Sequence, residues 1–237
     1  MIRGLTNLPK HRRDGAVLGL AVGVVGVTFG VLAATAGLDL PKAMAMSLLV
    51  FTGASQFAAV GVIDGGGSPL SAVGSALLLA ARNGLYGMRL SPLLARLGRR
   101  RVPAAQLVID ETTALAIAQD DEQRSIEAFF ATGFSLYLFW NLGTIVGVQL
   151  GAVVGEPETW GLDAVFPASF VALIGPLIAT RPARAAAILG VAIAIVAVPF
   201  TPAGAPILLA ALAVVPAMFV RDAAARTDGT RSEEEAP

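Results

Sequence analysis

Apolar runs long enough to cross a bilayer recur along this chain, and little else limits its fold so strongly. About 18 to 20 apolar residues span roughly 30 Å of hydrocarbon as a helix. Apolar segments fall at 15–36, 43–63, 69–95, 104–119, 127–154, 162–180, 184–200 and 205–220. Hydrophobic residues make up 55% of the 237 and charged ones 14%, and the mean hydropathy is +0.72. Hydrocarbon offers no hydrogen bonds, so a spanning segment must satisfy its own backbone, as a helix does. The pattern predicts an all-α polytopic membrane helix bundle of about eight apolar segments. Zero net charge gives no bulk attraction to nucleic acid. The absence of cysteine removes disulfides, thiol catalysis and thiolate metal sites.

Residues 1–13 read as a basic cytoplasmic segment, 14–220 as a single transmembrane domain, and 221–237 as a disordered cytoplasmic tail. The apolar run after the basic start continues to about Ala36 without an A-x-A-like cleavage site. It therefore reads as a first spanning helix, not a cleaved leader. His11 lies in the basic cluster and is expected to be solvated at headgroup level. Glycine and proline mark the connections at 37–42, 64–69, 155–161, 180–184 and 201–206.

Basic residues near helix ends belong in the cytoplasm. Lys10, Arg12, Arg13, Arg181, Arg184, Arg221 and Arg226 meet this with eight crossings and both termini inside. Arg99–Arg101 would then lie outside. If the third and fourth segments were re-entrant or broken, six crossings would put every basic cluster inside, and both counts stay open. The stretches at 48–63 and 163–178 share a Phe, small or helix-breaking residues, a Ser and a second Phe. Each follows a long glycine-bearing segment, which suggests an internal repeat of the kind transporters use to build a midplane site.

Polar groups at depth carry the functional reading, because an ionisable side chain there costs at least about 2.5 kcal/mol and usually faces a cavity or partner. Gly53, Ser55 and Gln56 sit inside an apolar run. They serve either as a small-residue packing face or as an unwound turn whose freed backbone groups hold a zwitterion. Arg82 is a candidate carboxylate clamp, its planar fork of donors always charged; the alternative is a structural ion pair. Asn83-Gly84 beside it invites a helix break. Asp110 and Glu111 are adjacent, about 100° apart on a helix, so they cannot share one face. One could pair with Arg82 or Arg89 while the other receives an ammonium group or carries a proton. Asn141 falls near mid-membrane and suits an interhelical hydrogen bond or a cavity wall. Tyr137 and Trp140 read as interfacial belt residues.

Enzymes acting on covalent bonds need a Ser/His, paired-Asp or metal constellation; one histidine and no cysteine make the supply thin, and Asp110 has no evident second Asp on a facing helix. No cofactor or metal is expected. The remaining alternative to a transporter is a channel or a non-transporting scaffold.

"MSLLVFTGASQFAAV", "RNGLYGMRLSP", "DETTALA" and "GFSLYLFWNLGT" together resemble the AzlC family, the large subunits of bacterial branched-chain amino-acid exporters. The resemblance covers roughly residues 14–220, and "FTGASQFAAV" is its most specific block. It implies export of leucine, isoleucine, valine or similar amino acids across the inner membrane, beside a small AzlD-type membrane subunit. The chain departs from the family at Arg82-Asn83-Gly84, where many relatives read Asn-x-Arg-His. A histidine-dependent proton step is excluded at that position, so proton coupling would fall to Asp110 or Glu111. For such a solute, Arg82 or the Gly53–Gln56 amides would hold the carboxylate and Asp110 or Asn141 the ammonium. Phe51, Phe57 and Leu138 would take the side chain.

Overall fold

The computed structural model describes residues 9–154, 171 and 178–220. The basic start at 1–8, the tail at 221–237, and the expected segment at 162–180 with the second copy of the repeat lie outside the described residues, apart from residues 171 and 178–180. Every regular element among the described residues is helical. Among the described residues, three helices are long and apolar enough to cross a membrane: Lys10–Thr35, Glu122–Val153 and Arg181–Phe200. The eight-segment count is not confirmed: the described residues alternate long helices with short, broken ones.

Helix α1 (Lys10–Thr35) and helix α7 (Glu122–Val154) form the spine. They run parallel, since Gly15 meets Thr132, Gly23 meets Phe139 and Gly30 meets Thr144 in rising order. Parallel packing makes α7 an odd-numbered crossing, which the eight- and six-crossing counts both require. The backbones touch because Gly15, Gly19, Gly23, Gly26 and Gly30 of α1 face α7, where Gly143, Gly147 and Gly151 return the contact. Between lipid-embedded helices such close approach supplies the dispersion contacts that water would otherwise enforce. At the start of both helices His11 Nε2 lies 2.8 Å from Glu127, which also takes the Arg12 guanidinium at 3.0 Å. The expectation of a solvated His11 is thus corrected: its side chain is 11% exposed.

The second apolar segment is two helices, α2 (Leu40–Val50) and α3 (Gly53–Asp64). Each is 11 or 12 residues long, too short to span alone. Phe51 ends α2 in the left-handed region, with φ 31° and ψ 48°, and Thr52 is extended. Phe51 is the only non-glycine among the described residues with positive φ. The carbonyls freed at the end of α2 are taken by side chains from elsewhere. Gln106 Nε2 donates to Leu48 and Leu49 at 3.0 Å, the Tyr137 hydroxyl to Leu48 at 3.2 Å, and Gln56 Nε2 to Met46 at 3.0 Å.

Helix α4 (Pro69–Ala95) runs unbroken through Asn83-Gly84, contrary to the expected break. It also absorbs Pro92, which cannot donate to the carbonyl four residues back; the Ser91 hydroxyl donates to that Met88 carbonyl at 2.9 Å instead. The fourth segment is broken as one reading required, into α5 (Arg101–Ala105) and α6 (Asp110–Ile117). The breaks therefore fall in the second and fourth segments, not the third and fourth. Helices α8 (Arg181–Ala197), α9 (Ala205–Ala210) and α10 (Val214–Ala217) follow. The Ser75 hydroxyl of α4 donates to the Gly204 carbonyl at 3.4 Å, tying this end to the rest.

Candidate functional site

Two of the short helices begin at the same cavity. Helix α3 enters it with Gly53 and Ala54, and α6 with Asp110 and Glu111. The first amides of a helix have no partner within it, and the Thr52 side chain does not cap those of α3. The start of α6 is closed instead: the Ile109 amide donates to Thr112 Oγ1 at 3.1 Å, and that hydroxyl lies 2.6 Å from the Leu107 carbonyl. Carboxylates in a first turn are favoured by the positive end of the helix dipole, which accounts locally for "DETT" opening a helix after an extended Ile109.

The cavity measures about 300 Å³, at the lower end of the range for small-molecule sites. Its polar side holds Arg82 of α4 opposite Asp110, with Arg82 Nη2 3.4 Å from Asp110 Oδ1 and both side chains about a third exposed. Arg82 Nε is buried without a hydrogen-bond partner. Its apolar side is Phe51, Phe57, Leu136 and Trp140, closed behind by Val22 and Val25 of α1. The rings are locked together: Phe57 meets Trp140 edge-on at 6.2 Å, and Phe51 meets Tyr137 at 4.8 Å. Gly53 is required by the approach of Trp140, since a Cβ there would lie 3.0 Å from Trp140 Cη2.

Of the residues singled out in the sequence, Gly53, Arg82, Asp110 and Glu111 are brought together in this cavity. Ser55 and Gln56 are fully buried but face a separate, largely apolar cavity between α2, α3 and α4. Asn83 lines a third, wider cavity beside the break. Asn141 folds back onto its own helix, donating to the Tyr137 carbonyl at 2.7 Å, and lines none of the three. Leu138 is 54% exposed and points away. Trp140 is no belt residue: it is 5% exposed and sits in the core. Helical spacing carried this signal, because Leu136, Trp140, Gly143 and Gly147 are three or four residues apart on one stripe, and Leu138 is not. Gln106, which holds the broken end of α2, had no sequence signal. Among the described residues no cluster of three or more His, Asp or Glu could hold a metal ion.

Long apolar helices around short broken ones that meet at a charged cavity define an integral membrane protein. The AzlC protein family model matches residues 17–154, and the chain belongs to that family. It is 30% identical to an uncharacterized membrane protein of Helicobacter pylori over 73% of this chain and 76% of that one. It is 35% identical to an uncharacterized membrane protein of Archaeoglobus fulgidus over 68% and 72%. The branched-chain amino acid transport protein AzlC of Bacillus subtilis is 24% identical over 63% of this chain and 59% of its own length. No solved structure matches. The matched residues contain α7, all but the first turns of α1, and the whole cavity. Through the family the chain is distantly related to a branched-chain amino acid transport protein.

Proposed function

We propose that this chain exports branched-chain or similar apolar amino acids across the bacterial inner membrane, both termini cytoplasmic, together with a small AzlD-type membrane subunit. The observation that carries the reading is a single small cavity with an arginine, two carboxylates and an aromatic wall, all inside the family match. A zwitterion suits the Arg82–Asp110 pair because it brings one charge of each sign. Its carboxylate takes the Arg82 fork and the open amides of Gly53 and Ala54. Its ammonium takes Asp110, so neither protein charge is left bare. An apolar side chain then lies against Phe57, Leu136 and Trp140. The second carboxylate, Glu111, leaves one negative charge over and is the group that would carry a coupling proton.

The test is counterflow of labelled leucine in proteoliposomes, with and without the small subunit. Saturable, counter-substrate-sensitive flux is expected, falling at least about tenfold in Arg82→Ala and Asp110→Asn. Conductance without counterflow would make the chain a channel. Unchanged flux in both variants would remove the site. Gln56→Ala should act through the α2–α3 break alone, lowering stability more than substrate affinity.

A further inference from the structure

Two nitrogens in the cavity wall are buried and hydrogen-bond to nothing: Arg82 Nε and Trp140 Nε1. Both are donors and neither can accept. Folded chains leave few buried polar groups unpartnered, and two orphaned donors on residues that line one cavity suit an acceptor brought by whatever fills it. The Trp140 ring cannot turn to seek another. It stacks on Phe29 at 6.1 Å with a 23° interplanar angle, meets Phe57 edge-on, and rests against Gly53. A sphere of 300 Å³ is about 8 Å across, so the anionic end of one bound solute lies within reach of the wall.

Resting on the amino-acid transport reading, we propose that Trp140 Nε1 donates a hydrogen bond to the substrate carboxylate beside Arg82 Nε. Trp140 is then a specificity residue: it separates an amino acid from the amine bearing the same side chain. The indole face still belongs to the apolar wall, so the two functions of the ring are separable by substitution. Trp140→Phe keeps the aromatic wall and removes only the N–H.

The experiment compares leucine with 3-methylbutylamine, which is leucine without its carboxylate, in wild-type and Trp140→Phe proteoliposomes. A charge-assisted hydrogen bond lost from the substrate raises the KM for leucine about tenfold or more, with maximal rate and inhibition by the amine unchanged. An unchanged leucine KM, or an equal change for leucine and the amine, overturns the assignment and leaves the transport reading standing. A wild type that moves no leucine sinks the transport reading instead. The chain has two tryptophans, so Trp160→Phe leaves Trp140 as the single reporter, a readout independent of flux and of the folding of Trp140→Phe. Leucine should shift its emission and the amine should not; an equal shift by both overturns the proposal.

Discussion

Replacing Gly147 by alanine tests the spine on which the cavity rests. A Cβ at Gly147 would collide with the Val27 carbonyl oxygen and lie 2.8 Å from Gly30 Cα and 2.9 Å from the Val27 carbonyl carbon. Unstrained carbon contacts lie near 3.5–4.0 Å, so α1 and α7 must part by something like 1 Å. The obstacle is backbone, so no rotamer change relieves it. Overpacking of this kind costs about 1–3 kcal/mol, and the rigid obstacle argues for the upper part of that range. Alanine recovers up to about 1 kcal/mol of helix propensity, leaving a net loss of about 2 kcal/mol. Gly84, in the interior of α4, is the control: a Cβ there meets nothing within 4 Å, so Gly84→Ala should stabilise by up to about 1 kcal/mol. Thermal unfolding in detergent, followed by monodisperse elution after heating, should place Gly147→Ala below wild type and Gly84→Ala at or above it. Equal behaviour of the two variants would show that the helices are not in backbone contact.

Phe51→Gly removes a left-handed strain of about 1 kcal/mol but also an aromatic ring only 4% exposed, worth about 3–5 kcal/mol. The same thermal assay should register a net loss; a gain would mean that the ring is not packed. Gln106→Ala frees the Leu49 carbonyl and leaves Leu48 to the Tyr137 hydroxyl alone; it should cost about 1 kcal/mol, with faster hydrogen exchange at the end of α2 as the direct readout. Asp39 begins α2, accepting from the Lys42 amide and ammonium at 3.0 and 2.9 Å. These bonds hold its carboxyl below the usual aspartate range. A lowered folded value means that the stabilisation is present at neutral pH and fades as pH falls through that value. Asp39→Asn should therefore flatten the acid limb of a melting-temperature profile below about pH 4, and an unaltered limb would deny the linkage.

The membrane class was legible because hydrophobic length is a property of composition alone. So was the interest of Gly53, Arg82, Asp110 and Glu111, which line one cavity, since small or charged groups at depth need a reason. What stayed hidden was set by tertiary partners. Asn83-Gly84 looks like a break, yet α4 continues, because a helix of 27 residues gains from every neighbouring turn what one glycine loses. The true break, at Phe51–Thr52, lies at a residue that disfavours positive φ. Gln106, from another element, and the Tyr137 contact hold it there. Ser55 and Gln56 sit within five residues of the cavity in sequence, but the helix that starts at Gly53 turns them to its other side. Trp140 read as interfacial because aromatic residues usually are. Its place in the core follows from the glycines that draw α1 against α7.

The two helix starts at the cavity are unlike in charge, and the difference bears on what can bind there. Both α3 and α6 direct the positive end of their dipole inward. The start of α3 leaves its amides open, and with Arg82 it makes one pole of the cavity electropositive. The start of α6 carries Asp110 and Glu111 in its first turn, and Thr112 Oγ1 takes the Ile109 amide, so the second pole is electronegative. A simple anion would compete with Asp110 for Arg82, 3.4 Å away, and leave Glu111 without a counter-charge. A simple cation would satisfy the second and strand Arg82. A charge deprived of its partner in a partly shielded site is disfavoured, so in an amino-acid carrier such a cavity would discriminate against both by what it leaves unmatched, not only by what it binds. Within the transport reading, a solute carrying both charges a few ångströms apart on an apolar stem is the one that meets every wall.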